Sequence, residues 1–124
     1  MAVVLGVCAV AFVVAFPLRT DYVGHFLAGA GGTACLLGLL LVIADARPWA
    51  VLVVTSAAIA AGVGTEATVF KLAIFDAVDL ANQSLGALMV ACGLVGARRS
   101  IPLGGAVVVL GVLLLLAGFR YAFA

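Results

Sequence analysis

The chain has 124 residues, of which 68% are apolar and 9% charged, with six Lys or Arg, five Asp or Glu and a formal net charge of +1. Soluble domains average about 45–50% apolar and about 25% charged residues, so a mean hydropathy of +1.45 excludes a soluble enzyme and a disordered chain. No basic patch is present to neutralise phosphates, which excludes a nucleic-acid partner. What remains is a small multi-pass membrane protein whose first partner is the lipid bilayer.

A helix crossing the hydrocarbon core takes about 20 mostly apolar residues. Charges and prolines divide the chain into five such stretches, which predicts an all-α, up-and-down bundle forming a single integral-membrane domain over residues 1–124. The first stretch covers 2–18. No Lys or Arg precedes its apolar core, so it reads as a retained span and not as a cleaved signal. The second, 23–44, follows Arg19-Thr20-Asp21-Tyr22 and carries His25 near its start. The third, 49–65, follows Asp45-Ala46-Arg47-Pro48. The segment 66–79 is apolar between polar ends. With Phe70, Phe75 and Lys71 it is expected to lie in the interface or re-enter it, roofing what lies beneath.

The fourth stretch, 80–97, precedes Arg98-Arg99-Ser100-Ile101-Pro102, and the fifth covers 103–119. The fifth has no polar side chain between Val107 and Leu116 and reads as a lipid-facing helix. Small residues let membrane helices approach closely. Gly29, Gly31 and Gly32, Gly62 and Gly64, and Gly86, Gly93 and Gly96 therefore place the tight core among the second, third and fourth spans. Cys8, Cys35 and Cys92 lie mid-span without ligand spacing and read as packing residues. Trp49, Tyr22 and Tyr121 sit at span ends, where an aromatic belt belongs.

Polar side chains are costly in lipid, so their positions carry information. Asp21, His25, Glu66, Asp76, Asp79, Asn82 and Gln83 all fall at span ends on one side of the membrane. The other side has Asp45, Arg47, Arg98 and Arg99, which read as loop charges. Asp76, Asp79, Asn82, Gln83 and Gly86 share one stripe of a helix. Asp21 and Asp79 stand where carboxylates cap helices, and Asp21 and His25 are one turn apart. The Arg98-Arg99 pair tips the orientation toward a cytoplasmic N-terminus.

The run Asp21-x-x-x-His25-Phe26, then Glu66 after the next span, then Asp79-Leu80-Ala81-Asn82 with Gly86 following, resembles the VanZ-like family. These are small bacterial and archaeal multi-span proteins, and the resemblance covers about residues 19–97. It implies a helical membrane fold in the cell envelope and singles out His25, Glu66, Asp79 and Asn82. The family's founding member is associated with resistance to a lipoglycopeptide antibiotic. Val69 stands where the family has Gln, Lys71 is the nearest cation to a family Arg, and Asp76 is an additional acid.

Three functions are compatible with these residues. A cell-envelope accessory or binding protein would engage lipid-linked or envelope components at the polar mouth. An intramembrane enzyme would use His25, Glu66 and Asp79 in acid/base chemistry, with Asp21, Asp76, Asn82 and Gln83 binding substrate. A divalent metal, if one is held, would take His25, Glu66, Asp76 and Asp79. As a small subunit of a larger complex, with a partner membrane protein, the chain would use the same cluster to join helices. No G-x-S-x-G elbow is present, which argues against serine hydrolysis.

Overall fold

The computed structural model describes residues 1–68 and 76–122, without the side chains of 66 and 67. All regular structure among them is helical: α1 (Ala2–Ala15), α2 (Thr20–Ile43), α3 (Pro48–Thr68), α4 (Ala77–Leu94) and α5 (Ile101–Ala122). Four of these, α2 to α5, are long and apolar enough to cross a membrane. The 14-residue α1 is a shorter apolar helix, ending at Ala15 where the sequence suggests a span to residue 18. At 1.5 Å per residue it is about 21 Å long, against about 30 Å of hydrocarbon. The prolines explain the breaks. Pro17 lies in the α1–α2 turn, Pro48 opens α3, and Pro102 is the second residue of α5, where no intrahelical N–H is needed.

Helix α2 is the axis of the bundle. Val23, Phe26, Ala30, Ala34, Leu37 and Leu41 along it are almost completely buried. Its closest neighbour is α5, which runs antiparallel to it. Gly24, Gly31 and Gly38 on α2 recur every seven residues, as do Gly104, Gly111 and Gly118 on α5. They meet in register, 24 against 118, 31 against 111 and 38 against 104. A Cβ added at Gly31 would lie 2.7 Å from the Gly111 carbonyl oxygen, and one at Gly104 would lie 2.6 Å from that of Gly38. The expectation that the fifth span faces only lipid is therefore corrected. Glycine, and not a polar residue, is what turns α5 inward, because two backbones can touch only where neither helix has a Cβ.

A second close approach joins α2 to α4, which run parallel. Here Gly29 lies against the Gln83 backbone, and Gly86 lies against the Phe26 carbonyl and the Ala30 amide. Helix α3 has the least buried span, with Leu52 and Val53 exposed along it. The tight core is thus α2 with α4 and α5, rather than the second, third and fourth spans. Helix α1 leans on α2 through Leu5 and through Phe12, whose ring centroid is 5.2 Å from that of Phe26.

At the end of the bundle away from His25, two loops are stapled by backbone hydrogen bonds. The Ala46 amide donates to the Ala97 carbonyl and the Gly96 amide to the Ala46 carbonyl, both at 2.8 Å. Gly96 has φ +80°, which the turn requires and which side chains resist. The neighbouring charges are engaged as well. Asp45 Oδ1 accepts the Arg99 amide at 2.8 Å, and Arg99 Nε donates to the Val42 carbonyl at 3.1 Å near the C-terminus of α2. These residues tie the loops together rather than only carrying charge.

The glycine seam gives a direct expectation. Gly111→Ala forces a methyl to within 2.7 Å of the Cys35 amide and should cost about 1–3 kcal/mol of bundle stability, the usual range for overpacking. Gly105→Ala meets no described atom within 4 Å and should leave stability unchanged. Unfolding midpoints of the two variants in detergent check this.

Candidate functional site

The α2–α4 crossing fixes the geometry of the polar end. Gly29 and Gly86 bring the two helices together two to three turns below their N-termini, so the side chains of the turns above the crossing face each other. His25 Nε2 stands 3.5 Å from Asp79 Oδ2, with the side chains 20% and 15% exposed. That separation is at the long limit of direct contact. Asn82, one turn further along α4, is buried, and its Nδ2 makes no hydrogen bond among the described residues.

A second polar group lies above this pair. Arg19, the residue before α2, donates from its NH2 group to Asp21 Oδ2 at 2.8 Å and to Asp76 Oδ2 at 3.5 Å. Its guanidinium carbon also lies 4.0 Å from the centre of the Tyr22 ring. The hydrogen bond to Asp21 holds the guanidinium even more firmly protonated than usual. Asp76 is the N-cap of α4, its Oδ1 accepting the Val78 amide at 2.8 Å. Arg19 therefore clasps the start of α2 to the start of α4.

The residues singled out in the sequence are thus partitioned. His25 and Asp79 come together. Asp21 and Asp76 come together too, but through Arg19, which in the sequence only marks the break before the second span. Capping is done by Asp76 and not by Asp79, which is left to face His25. Asp21 does not cap α2, whose N-cap is Arg19 without a side-chain hydrogen bond. Glu66 belongs to the last turn of α3, but its side chain lies outside the described residues. Residues 69–75, with Phe70, Lys71 and Phe75, lie outside them as well, and α3 and α4 claim the two ends of the expected interfacial segment. Among the described residues no three of His, Cys, Asp and Glu gather as a metal-ligand set. Of the four proposed ligands His25 and Asp79 meet, while Asp76 is turned to Arg19 and its own helix.

Below the polar end, α2, α3 and α4 diverge around a cavity of about 380 Å³. Gly29, Gly32, Ala58, Ile59 and Ala87 make most of its wall apolar, and Gln83, Thr33 and Thr65 add polar groups. Gln83, expected to bind, does line this space, with its side chain over Gly62. Thr33 is fully buried, and its hydroxyl has no hydrogen-bond partner among the described residues. Sequence reasoning missed Gly32 and Thr33 as cavity residues. A glycine that packs against nothing cannot be told in a sequence from one that packs tightly.

Fold and site together define a helical multi-pass membrane protein with a polar mouth at one end of the bundle. Comparison with known protein families, with curated proteins and with solved structures gives no match.

The His25–Asp79 contact should be measurable as a coupling. A double-mutant cycle of His25→Ala and Asp79→Ala, followed by unfolding in lipid or detergent, should give about 0.6 kcal/mol and no more than about 1.7 kcal/mol, the range found for polar pairs in membrane bundles. A cycle of His25→Ala with Asp76→Ala should give none.

Proposed function

We propose that this protein is a cell-envelope membrane protein that holds a lipid or lipid-linked molecule, with its polar group at the His25–Asp79 mouth and one chain in the cavity beneath. The observation that carries this reading is the vertical order of the site. An acid–imidazole pair at the end of α2 and α4 stands one turn above an apolar space of about 380 Å³. A polar rim over an apolar slot matches an amphiphile, and pockets of a few hundred Å³ are of ligand size. Gln83 and Thr65 on the wall suit ester or hydroxyl groups near the head of such a molecule.

The resemblance of the Asp21–His25–Phe26, Glu66 and Asp79–Asn82 pattern to the VanZ-like family favours the same role, an accessory or binding protein of the cell membrane. The basic Arg98-Arg99 pair favours an N-terminus in the cytoplasm, which would turn the His25 mouth outward. A second reading uses the same contact. An imidazole beside a carboxylate can take and return a proton, so the pair could also act as general base on a lipid-linked substrate.

Gly32→Leu separates binding from folding, because a Cβ there meets no described atom within 4 Å and the rest of the side chain extends from the cavity wall into the open space. Polyprenyl phosphate with a diazirine in its tail should label peptides of α2 and α3 in the native protein. Gly32→Leu should lose that labelling with the unfolding midpoint unchanged, and His25→Ala should weaken it. Labelling that persists in Gly32→Leu contradicts a chain in this cavity. Product formed from the same lipid by the native protein, and not by His25→Ala, would favour the enzyme reading.

A further inference from the structure

The opposite end of the bundle carries a second concave site, independent of the His25 mouth. Where α2 ends and α3 begins, a cavity of about 370 Å³ is lined by Leu40, Ala44, Asp45, Arg47, Trp49 and Arg99, among others. Its position is fixed by the loop staple. The Ala46–Ala97 and Gly96–Ala46 hydrogen bonds hold the α2–α3 and α4–α5 loops side by side, which brings Arg99 beside Arg47 across 52 positions of sequence. Arg99 is also anchored through Nε to the Val42 carbonyl, and its two terminal nitrogens carry four further N–H donors. Arg47 is exposed, and Trp49 is 66% exposed at the first turn of α3.

We propose that this cavity is a headgroup site for a membrane phospholipid of the phosphoethanolamine type, with the phosphate between Arg47 and Arg99 and the ammonium at Asp45. Three arguments meet here. The cavity lies at the ends of spanning helices, at the depth where lipid phosphates stand, and its Trp49 is of the kind that anchors at that depth. Two guanidinium groups around one space recognise a phosphodiester by directed, charge-assisted hydrogen bonds. Asp45 on the same wall accepts the Arg99 amide through Oδ1, and its second oxygen can take a primary ammonium. A quaternary amine has no N–H to donate, so phosphatidylcholine satisfies only half of the site. A headgroup without an amine places its phosphate beside an unmatched carboxylate. Leu40 and Ala44 give the glycerol end an apolar edge that free phosphate cannot use.

Trp49 is the only tryptophan in the chain, so its fluorescence reports on this cavity alone. The full chain in detergent is titrated with short-chain phosphatidylethanolamine, phosphatidylcholine and phosphatidylglycerol, and with inorganic phosphate. The ethanolamine lipid should give a saturable change at the lowest concentration, with the choline lipid several-fold weaker and phosphate without effect. Arg47→Gln should weaken the ethanolamine lipid about tenfold or more, the loss expected for a hydrogen bond to a charged group. Asp45→Asn should bring the ethanolamine and choline lipids to equal affinity. This variant keeps an acceptor for the Arg99 amide, so the loop staple survives and loss of fold is not the cause. Equal response to ethanolamine and choline lipids in the native protein, tightest binding of the glycerol lipid, the same response to phosphate alone, or unchanged binding by Arg47→Gln would each overturn the proposal.

Discussion

The absence of Cβ atoms on two faces of α2 is the constraint on which the rest of this structure depends. Lipid tails are as apolar as leucine, so no hydrophobic force drives membrane helices together, and backbone proximity has to supply van der Waals contact instead. On one face Gly24, Gly31 and Gly38 admit α5, and on another Gly29 admits α4. A helix with glycine on one face could hold one neighbour this closely. With glycine on two, α2 holds both and becomes the axis against which the other helices are placed.

The site follows from that axis. Because α4 crosses α2 at Gly29 and Gly86, the acids at its start are carried to the level of His25, and one of them, Asp79, lies opposite the imidazole. Asp76, three residues earlier, is spent on capping α4 and on Arg19. Helix α3, which lacks a comparable seam, stands further off and leaves the space lined by Gly32, Ala58 and Gln83. The polar mouth and the apolar slot are therefore two results of one packing pattern, tight on the α4 and α5 sides of α2 and loose toward α3.

Much of this was legible in the sequence, for identifiable reasons. The spans could be read because charges and prolines in lipid are costly enough to mark helix ends, and the observed ends of α2 to α5 fall within a few residues of those expected. The gathering of acids and histidine at one end could be read from span parity alone, and the contact of His25 with Asp79 agrees with it. Partner choice could not be read. Asp76 and Asp79 lie on one stripe, and only the start of α4 at Ala77 decides which caps and which faces the imidazole. The burial of α5 escaped because hydropathy ranks Val107 to Leu116 as ideal lipid-facing residues. The informative signal was the seven-residue recurrence of Gly104, Gly111 and Gly118, matched by that of Gly24, Gly31 and Gly38. Arg19 was missed because a cation beside a span end is ordinarily a topology signal and not a clasp.

The most direct check uses the fact that the chain has one histidine. Solid-state NMR in lipid bilayers, with ¹⁵N in the histidine ring and ¹³C in the aspartate carboxyls, reads the distance from the His25 ring nitrogens to whichever carboxylate lies nearest. If α2 and α4 cross as described, strong dipolar dephasing is expected, because the labelled carboxyl carbon of Asp79 is bonded to the Oδ2 that stands 3.5 Å from Nε2. It should vanish in Asp79→Ala and persist in Asp76→Ala. No dephasing in the native chain, or dephasing that survives Asp79→Ala and is lost instead in Asp21→Ala, would contradict the crossing and the site built on it.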